Sequence, residues 1–340
     1  MKCLVVGGAG FVGTNLIKRL LKDGNEVVSV DNYSTGKKEN HQDGCRYYDY
    51  DVSSQHTLGI YVDYQSYPVW REDEYSTIFH LAALPRIQPS IEYPHKSILN
   101  NFVGTLNMLE LARQKDIPFV YAGSSSKHYS LYGSPYAWSK WSGEELCKLY
   151  SSVYDVSTSI CRFYNVYGPH HLTKGDYCTV IGIFEEQYKK GQSLTITGDG
   201  EQRRDFTHVE DIVDGLVRVH RGMHGEIDMG YFGAEFELGR GVNFSINEIA
   251  DMFGEDYPKT KIEQRPGEYD VTLADYSHAQ KVLNWTPTRN IKDYMENYIE
   301  TNTSVEWICE YCGEDTSEVE YDYIGSNTNH LQCELKNETN

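Results

Sequence analysis

The sequence predicts an α/β fold, a doubly wound parallel sheet followed by a smaller C-terminal α/β domain, on three observations. Lys2–Val6 is an apolar strand that runs directly into Gly7-Gly8-Ala9-Gly10-Phe11-Val12-Gly13. Leu16, Ile17, Leu20 and Leu21 then recur at helical spacing before a second apolar strand, Glu26–Asp31. Beyond it, apolar strands alternate with helical patterns as far as Gly168-Pro169, after which the rhythm becomes irregular.

In the first unit, Gly8, Gly10 and Gly13 satisfy G-x-G-x-x-G, and Gly7, Gly10 and Gly13 satisfy the wider G-x-x-G-x-x-G. Glycine there lets the chain turn sharply and lets backbone approach a pyrophosphate, whose charge sits at the helix N-terminus. Asp31, 18 residues after Gly13, accepts hydrogen bonds from an adenosine ribose and repels a 2′-phosphate, which selects NAD over NADP. The first domain is therefore expected to be Rossmann-type. Its further strands are expected at Arg46–Val52, Thr77–Ala82, Phe119–Gly123 and Ser157–Tyr164, with a helix across about Ile98–Gln114. Residues 53–76 are rich in tyrosine and carry no clean period.

These patterns divide the chain into an NAD-binding domain, 1–168, a substrate-binding domain, 169–300, with segments packing back on the first, and an acidic cysteine-containing tail, 301–340. The second part offers a helix near Val180–Lys190, the turn Gly198-Asp199-Gly200, the run Arg203–Val209 and Arg265-Pro266-Gly267-Glu268. A ligand is expected between it and the carboxyl ends of the strands.

With 340 residues and 39% hydrophobic content the chain can bury a substantial core. No apolar run approaches the roughly 18 residues of a membrane span, and Met1–Gly7 lacks a signal-peptide pattern, so a cytoplasmic protein is expected. Eight cysteines are scattered, several inside apolar segments, which suits reduced core thiols. A formal charge of −19 disfavours nucleic acid, while locally grouped arginines can still hold an anionic small molecule.

The chemistry is expected at Ser124-Ser125-Ser126-Lys127-His128-Tyr129 and Tyr136-Ala137-Trp138-Ser139-Lys140. If Pro135 opens a helix, Tyr136 and Lys140 share one face. A free phenol titrates near 10, so it needs a neighbouring cation before it can act as a base near neutrality. Tyr-x-x-x-Lys occurs three times among 28 tyrosines, but Gly36 interrupts Tyr33/Lys37 and Pro258 follows Tyr257 of Tyr257/Lys261. Only Tyr136/Lys140 follows an apolar strand and a serine cluster. Read alone, the pair also suits a packed tyrosine beside a solvated lysine.

Taken in order, Val6–Gly13, Asp31-Asn32, His80-Leu81-Ala82-Ala83, Asn101 to Thr105, the serine cluster, Tyr136/Lys140, Arg162–Pro169, Gly198–Asp211, Arg265–Glu268 and Asp275 resemble the extended short-chain dehydrogenase/reductase family, in its nucleotide-sugar epimerase and dehydratase branch. The resemblance covers about residues 1–300. It implies tightly held NAD, contacted by Gly7, Gly10, Phe11, Val12, Gly13, Asp31, Asn32, Asp51, Val52, Leu81, Ala82, Ala83, Asn101, Tyr136, Lys140 and Tyr164. It implies catalysis by Ser125, Tyr136 and Lys140, and a substrate, most simply a UDP-linked sugar, held by Ser125, Ser126, Asn165, Arg204, Arg265 and Thr272. It further implies a homodimer built on a helix pair.

Dehydratases of this family carry Asp-Glu after the catalytic Ser/Thr and decarboxylases a Glu; here those positions are Ser126 and Lys127. That favours a 4-epimerase, which oxidises C4 of a hexose and returns the hydride on the other face. A decarboxylase, dehydratase or 4-ketoreductase, or a non-catalytic NAD-binding sensor, are the competing readings. Small Thr272 at the family's gate position implies room for an N-acetyl group, hence UDP-GlcNAc beside UDP-glucose. Lys127 departs from the small or apolar residue usual there, and a charge contact with substrate is its one suggested role. Arg203 and Arg204 also suit surface ion pairs, His80 a satisfied core histidine, and His170 and His171 exposed positions.

The tail carries Cys309-x-x-Cys312 and His330-x-x-Cys333, the ligand types of a small zinc knuckle. Its acidity equally suits a solvating disordered segment, and no metal site is assigned.

Overall fold

The protein is described here by a computed structural model covering residues 1–54, 69–229 and 234–302. The first half contains strands β1 (Lys2–Val6), β2 (Glu26–Asp31), β3 (Cys45–Asp49), β4 (Thr77–His80), β5 (Phe119–Ser124) and β6 (Thr158–Phe163). They alternate with helices α1 (Phe11–Lys22), α2 (Ile87–Glu92), α3 (Pro94–Ile98), α4 (Gly104–Lys115) and α5 (Pro135–Tyr154). The second half adds β7 (Asn165–Tyr167), α6 (Val180–Lys189), β8 (Leu194–Thr197), β9 (Arg203–His208), α7 (Val209–Met223) and β10 (Ala234–Leu238). It ends with β11 (Asn243–Ser245), α8 (Ile246–Asp251), β12 (Lys259–Ile262), α9 (Ser277–Leu283) and α10 (Ile291–Asn302).

Seven strands form one sheet in the order β10-β6-β5-β4-β1-β2-β3, parallel at every pairing. The order reverses at β1, and a crevice opens there between the loops after β1 and β4. Period-two alternation splits the core between the two faces of the sheet. Val5, Phe79, Val120 and Cys161 pack with Leu16, Leu20, Val213 and Leu216 of α1 and α7. Leu4, Ile78, Tyr121 and Ile160 pack with Met108, Leu111 and Cys147 of α4 and α5.

A third core, including Tyr167, Phe184, Phe206, Ile249, Phe253 and Met295, lies around the three-stranded sheet β11-β9-β7. β8 and β12 pair in parallel beside it. The second half is interleaved with the first, since α7 covers a face of the large sheet and β10 extends its edge.

β1 and β2 have the expected bounds. Strand β3 stops at Asp49 rather than Val52, because the chain turns there and the Val52 carbonyl accepts from Asn107 Nδ2 at 2.7 Å. The helix expected from Ile98 instead begins at Pro94 as α3 and reaches α4 through a π-helical turn, Leu99–Val103. The described cysteines are free: Cys3, Cys147, Cys161 and Cys178 are buried and Cys45 is half-buried. No described helix is long and apolar enough to cross a membrane.

Candidate active site

At the crevice, Gly7 adopts φ +86°, and a Cβ there would come within 2.7 Å of the Ala82 amide nitrogen. A Cβ on Gly13 would lie 2.2 Å from the Gly7 carbonyl oxygen, so the turn and the start of α1 close only with glycine at both places. Gly10 caps α1 without a side chain, leaving the first-turn N–H groups open toward the cavity. Asp31 is buried, accepts from Ala9 N at 2.9 Å and from Tyr33 N at 2.8 Å, and keeps lone pairs for a ribose. Burial pushes its carboxyl up, and the two backbone bonds oppose that.

Gly7, Gly10, Phe11, Val12, Gly13, Asp31, Asn32, Asp51, Val52, Leu81, Ala82, Ala83 and Tyr164 all line one cavity of about 840 Å³. The glycine cradle, open helix terminus and buried acid fit a dinucleotide. Asn101, expected on the cofactor, is a correction. It is fully buried and spends its amide on the Leu84 backbone, at 2.7 and 3.2 Å, and on Ser139 Oγ at 3.0 Å, while Asn100 lines the wall. The π-helical turn sets that choice by rotating Asn101 inward.

Across the cavity, the Ser134 side chain accepts from Ala137 N at 3.1 Å and Pro135 takes the first helical position, so α5 starts where the sequence places it. Tyr136 and Lys140 both line the cavity as a result. The Tyr136 hydroxyl donates to Ser124 Oγ at 3.4 Å, and Ser126 Oγ donates to the same oxygen at 2.9 Å. Ser125, singled out as the partner of the base, lines the cavity, but the bond to Tyr136 is made by Ser124.

Lys140 is 5% exposed with Nζ 4.4 Å from the Tyr121 ring centroid, and burial lowers it to about 8. Burial raises Tyr136, opposed by the Ser124 hydrogen bond and the charge of Arg86. Lys127 does not face the cavity. Its ammonium lies 3.3 Å from Glu144 and 3.4 Å from Glu235, which corrects the suggestion of a substrate contact.

At the other end of the cavity stand Asn165, Arg204, Arg265, Ser126 and Thr272. Arg204 Nη1 donates to the Arg203 carbonyl at 3.0 Å, and Nη2 lies 3.7 Å from Glu268. Arg203 turns away to Asn243 at 2.9 Å and Glu248 at 2.9 Å. Thr272 is 3% exposed, and its hydroxyl accepts from Asp205 N at 3.1 Å, so only a small surface of it faces the cavity.

His80 is buried, 3.1 Å from Thr105 Oγ1, and burial lowers it to about 3, as for a core histidine. His171 is not exposed: its Nε2 meets Glu185 at 2.7 Å and its side chain is 4% exposed. Among the lining residues that escaped sequence reasoning are Arg86 and Tyr269. Each stands within five residues of a motif that was read, but nothing local marks it as facing inward. Among the described residues no group of three or more His, Cys, Asp or Glu is arranged to hold a metal. Cys309, Cys312, His330 and Cys333 lie outside them.

The profile of the NAD dependent epimerase/dehydratase family matches residues 3–228. A UDP-glucose 4-epimerase of Mycolicibacterium smegmatis is 31% identical over 84% of this chain and 94% of its own length. UDP-glucuronic acid decarboxylase 4 of Arabidopsis thaliana is 31% identical over 84% of this chain and 65% of its own. The crystal structure of a UDP-glucuronic acid 4-epimerase from Bacillus cereus, in complex with UDP-glucuronic acid and NAD, superposes with a TM-score of 0.75 at 27% identity, over 88% of this chain and 99% of the other.

Proposed function

The chain belongs to the NAD-dependent epimerase/dehydratase family, and from that premise we propose that it is a 4-epimerase of a UDP-linked hexose or N-acetylhexosamine. The observation that carries this reading is the Tyr136 hydroxyl, 3.4 Å from Ser124 Oγ, in one cavity with the glycine cradle and with Arg204 and Arg265. Bound NAD supplies the hydride acceptor and, later in the same turnover, the hydride donor.

Tyr136 takes the proton of the sugar's C4 hydroxyl, with Ser125 in the expected role of steadying that hydroxyl and Ser124 holding the phenol. Lys140, Arg86 and the positive charge of oxidised nicotinamide lower the cost of the phenolate. Arg204 and Arg265 keep hold of the diphosphate while the 4-keto sugar turns over, because a guanidinium fork matches phosphate oxygens. Tyr136 then returns its proton to the C4 oxygen, once the turned sugar presents the opposite face of C4 for return of the hydride. Ser126 and Lys127 stand where an eliminating or decarboxylating site carries acids, and Lys127 is occupied by two glutamates, which supports return of the hydride.

The test is to incubate enzyme and NAD⁺ with UDP-glucose or UDP-GlcNAc, following anomeric protons by NMR and NADH by absorbance. A mixture of C4 epimers without accumulating NADH is expected. Tyr136→Phe should cut turnover by about 10²–10⁴-fold with NAD still bound; undiminished turnover would assign the base elsewhere. Thr272→Tyr should remove activity on UDP-GlcNAc and spare UDP-glucose, and a loss on both would sink the gate assignment. Leu149, Val153 and Tyr154 are exposed on the last turns of α5, which supports a helix-paired homodimer, to be checked by light scattering.

A further inference from the structure

Lys140 lines the cavity at 5% exposure, and its Nζ donates a hydrogen bond to no described residue. A buried ammonium without a bonded acceptor needs another group to carry its charge. Nζ lies 4.4 Å from the ring centroid of Tyr121 on β5, within cation–π range. Tyr121 is fully buried and stands behind the cavity wall. Its hydroxyl donates to the Lys140 carbonyl at 3.2 Å, so the ring is located by the backbone of the residue whose charge it faces. α5 makes room for that hydroxyl with Gly143, where a Cβ would lie 2.2 Å from it. Glycine weakens a helix interior, and admitting the tyrosine gives it a reason to be there.

The other groups around Lys140 do not take over this role. Burial holds the Cys147 thiol on α5 well above its ordinary range and lowers the His80 imidazole on β4 to about 3, so both are neutral. Burial likewise raises Tyr136, one turn back on α5. Glu144, one turn further on, favours the ammonium, but its oxygens accept from Arg162 at 2.9 to 3.1 Å and meet Lys127 at 3.3 Å. A bonded carboxylate would also occupy an N–H of Lys140. An aromatic face stabilises the charge without a directional bond and leaves the N–H donors free for the cavity.

We propose that Tyr121 is a positioning residue: its ring face keeps the Lys140 ammonium charged and turned into the cavity, where Tyr136 needs it. The service to Tyr136 rests on the proposed epimerase reaction, whereas the hold on Lys140 is independent of it.

The test weakens the negative face of the ring while keeping its shape. Tyr121→Phe removes the hydroxyl and keeps the ring; mono-, di- and trifluorinated phenylalanine at position 121 then withdraw charge from the face stepwise. In the full-length protein before NAD is added, competitive acetylation read peptide by peptide by mass spectrometry gives the pH at which Lys140 titrates, without turnover. Exposed Lys18 is the internal reference. Tyr121→Phe should leave that pH within about 0.3, and trifluorination should lower it by about 0.5 to 1, the share of a desolvated cation–π pair, with Lys18 unmoved. The alkaline limb of kcat against pH in the NAD-loaded protein should fall by the same amount. Identical Lys140 titration in the phenylalanine and trifluorophenylalanine proteins overturns the proposal. A titration that moves while the limb of kcat stays overturns the service to Tyr136, and with it the part given to Lys140 in the reaction. If neither sugar is epimerised, the acetylation series still decides the hold on Lys140.

Discussion

Burial acts on Tyr136 and Lys140 in opposite directions and to the same end: it raises the phenol and lowers the ammonium, so each favours its neutral form. Lys140 falls from 10.5 to about 8, a penalty on the folded protein of order ~3 kcal/mol that is present in full below pH 8. As the pH rises from 8 to 10.5 the folded lysine loses its proton before the unfolded one, and the penalty fades. Lys140→Met should therefore be inactive yet more stable in urea than the cofactor-free parent, by a margin that shrinks across that window. The serines make a second residue-scale prediction. Ser124→Ala removes the one hydrogen bond to the Tyr136 hydroxyl among the described residues and should lower kcat about tenfold, whereas Ser125→Ala should act chiefly through a sugar contact and raise KM. The Tyr-x-x-x-Lys spacing was legible because a helix fixes which residues share a face. The choice among three consecutive serines was not, because successive side chains at a strand end point in different directions.

At the scale of elements, β6, α5 and β10 meet in a charged cluster. Arg162 of β6 is 4% exposed and bonds Glu144 of α5 at 2.9 Å, Glu237 of β10 at 2.7 Å and Glu235 of β10. Lys127 and Lys148 complete the neutralisation, Lys148 at 2.8 Å from Glu235. Burial raises Glu235, but hydrogen bonds from Lys148 and Arg162 outweigh it and bring the carboxyl down to about 2. Arg162→Met would leave buried Glu144 and the two β10 carboxylates without their shared partner and should cost about 3–5 kcal/mol, read as a lower denaturant midpoint at unchanged m-value. This cluster explains what the sequence hid. β1 and β2 are legible because strands covered on both faces read as apolar runs, whereas Ala234-Glu235-Phe236-Glu237-Leu238 reads as a half-exposed strand. Its acids are satisfied by partners that only the fold brings near, and Lys127 suggested a substrate contact for the same reason.

For the whole molecule, the cavity wall is drawn from both halves of the chain, and the loops at Gly175–Thr179 and Arg265–Thr272 close it opposite the sheet. A nucleotide sugar added to the NAD-loaded protein should slow hydrogen exchange in those two loops and leave β1, whose amides are already in the sheet core, unaffected. Equal protection across the sheet and the loops would argue against a ligand seated between them. The sequence revealed the first half of this wall through its glycine turn, whose geometry is local, and the second half only through arginines whose orientation is set by the chain's return. That return has an order in time. During synthesis β6 leaves the ribosome with Arg162 already in place, and Glu235 follows seventy-three residues later. A nascent chain holding only the first six strands can thus pair Arg162 with Glu144 of α5 but not with Glu235 and Glu237, at a sheet edge that is still open. The edge is sealed by the arrival of β10, which makes completion of the sheet a late, non-local step rather than one the first domain can finish alone.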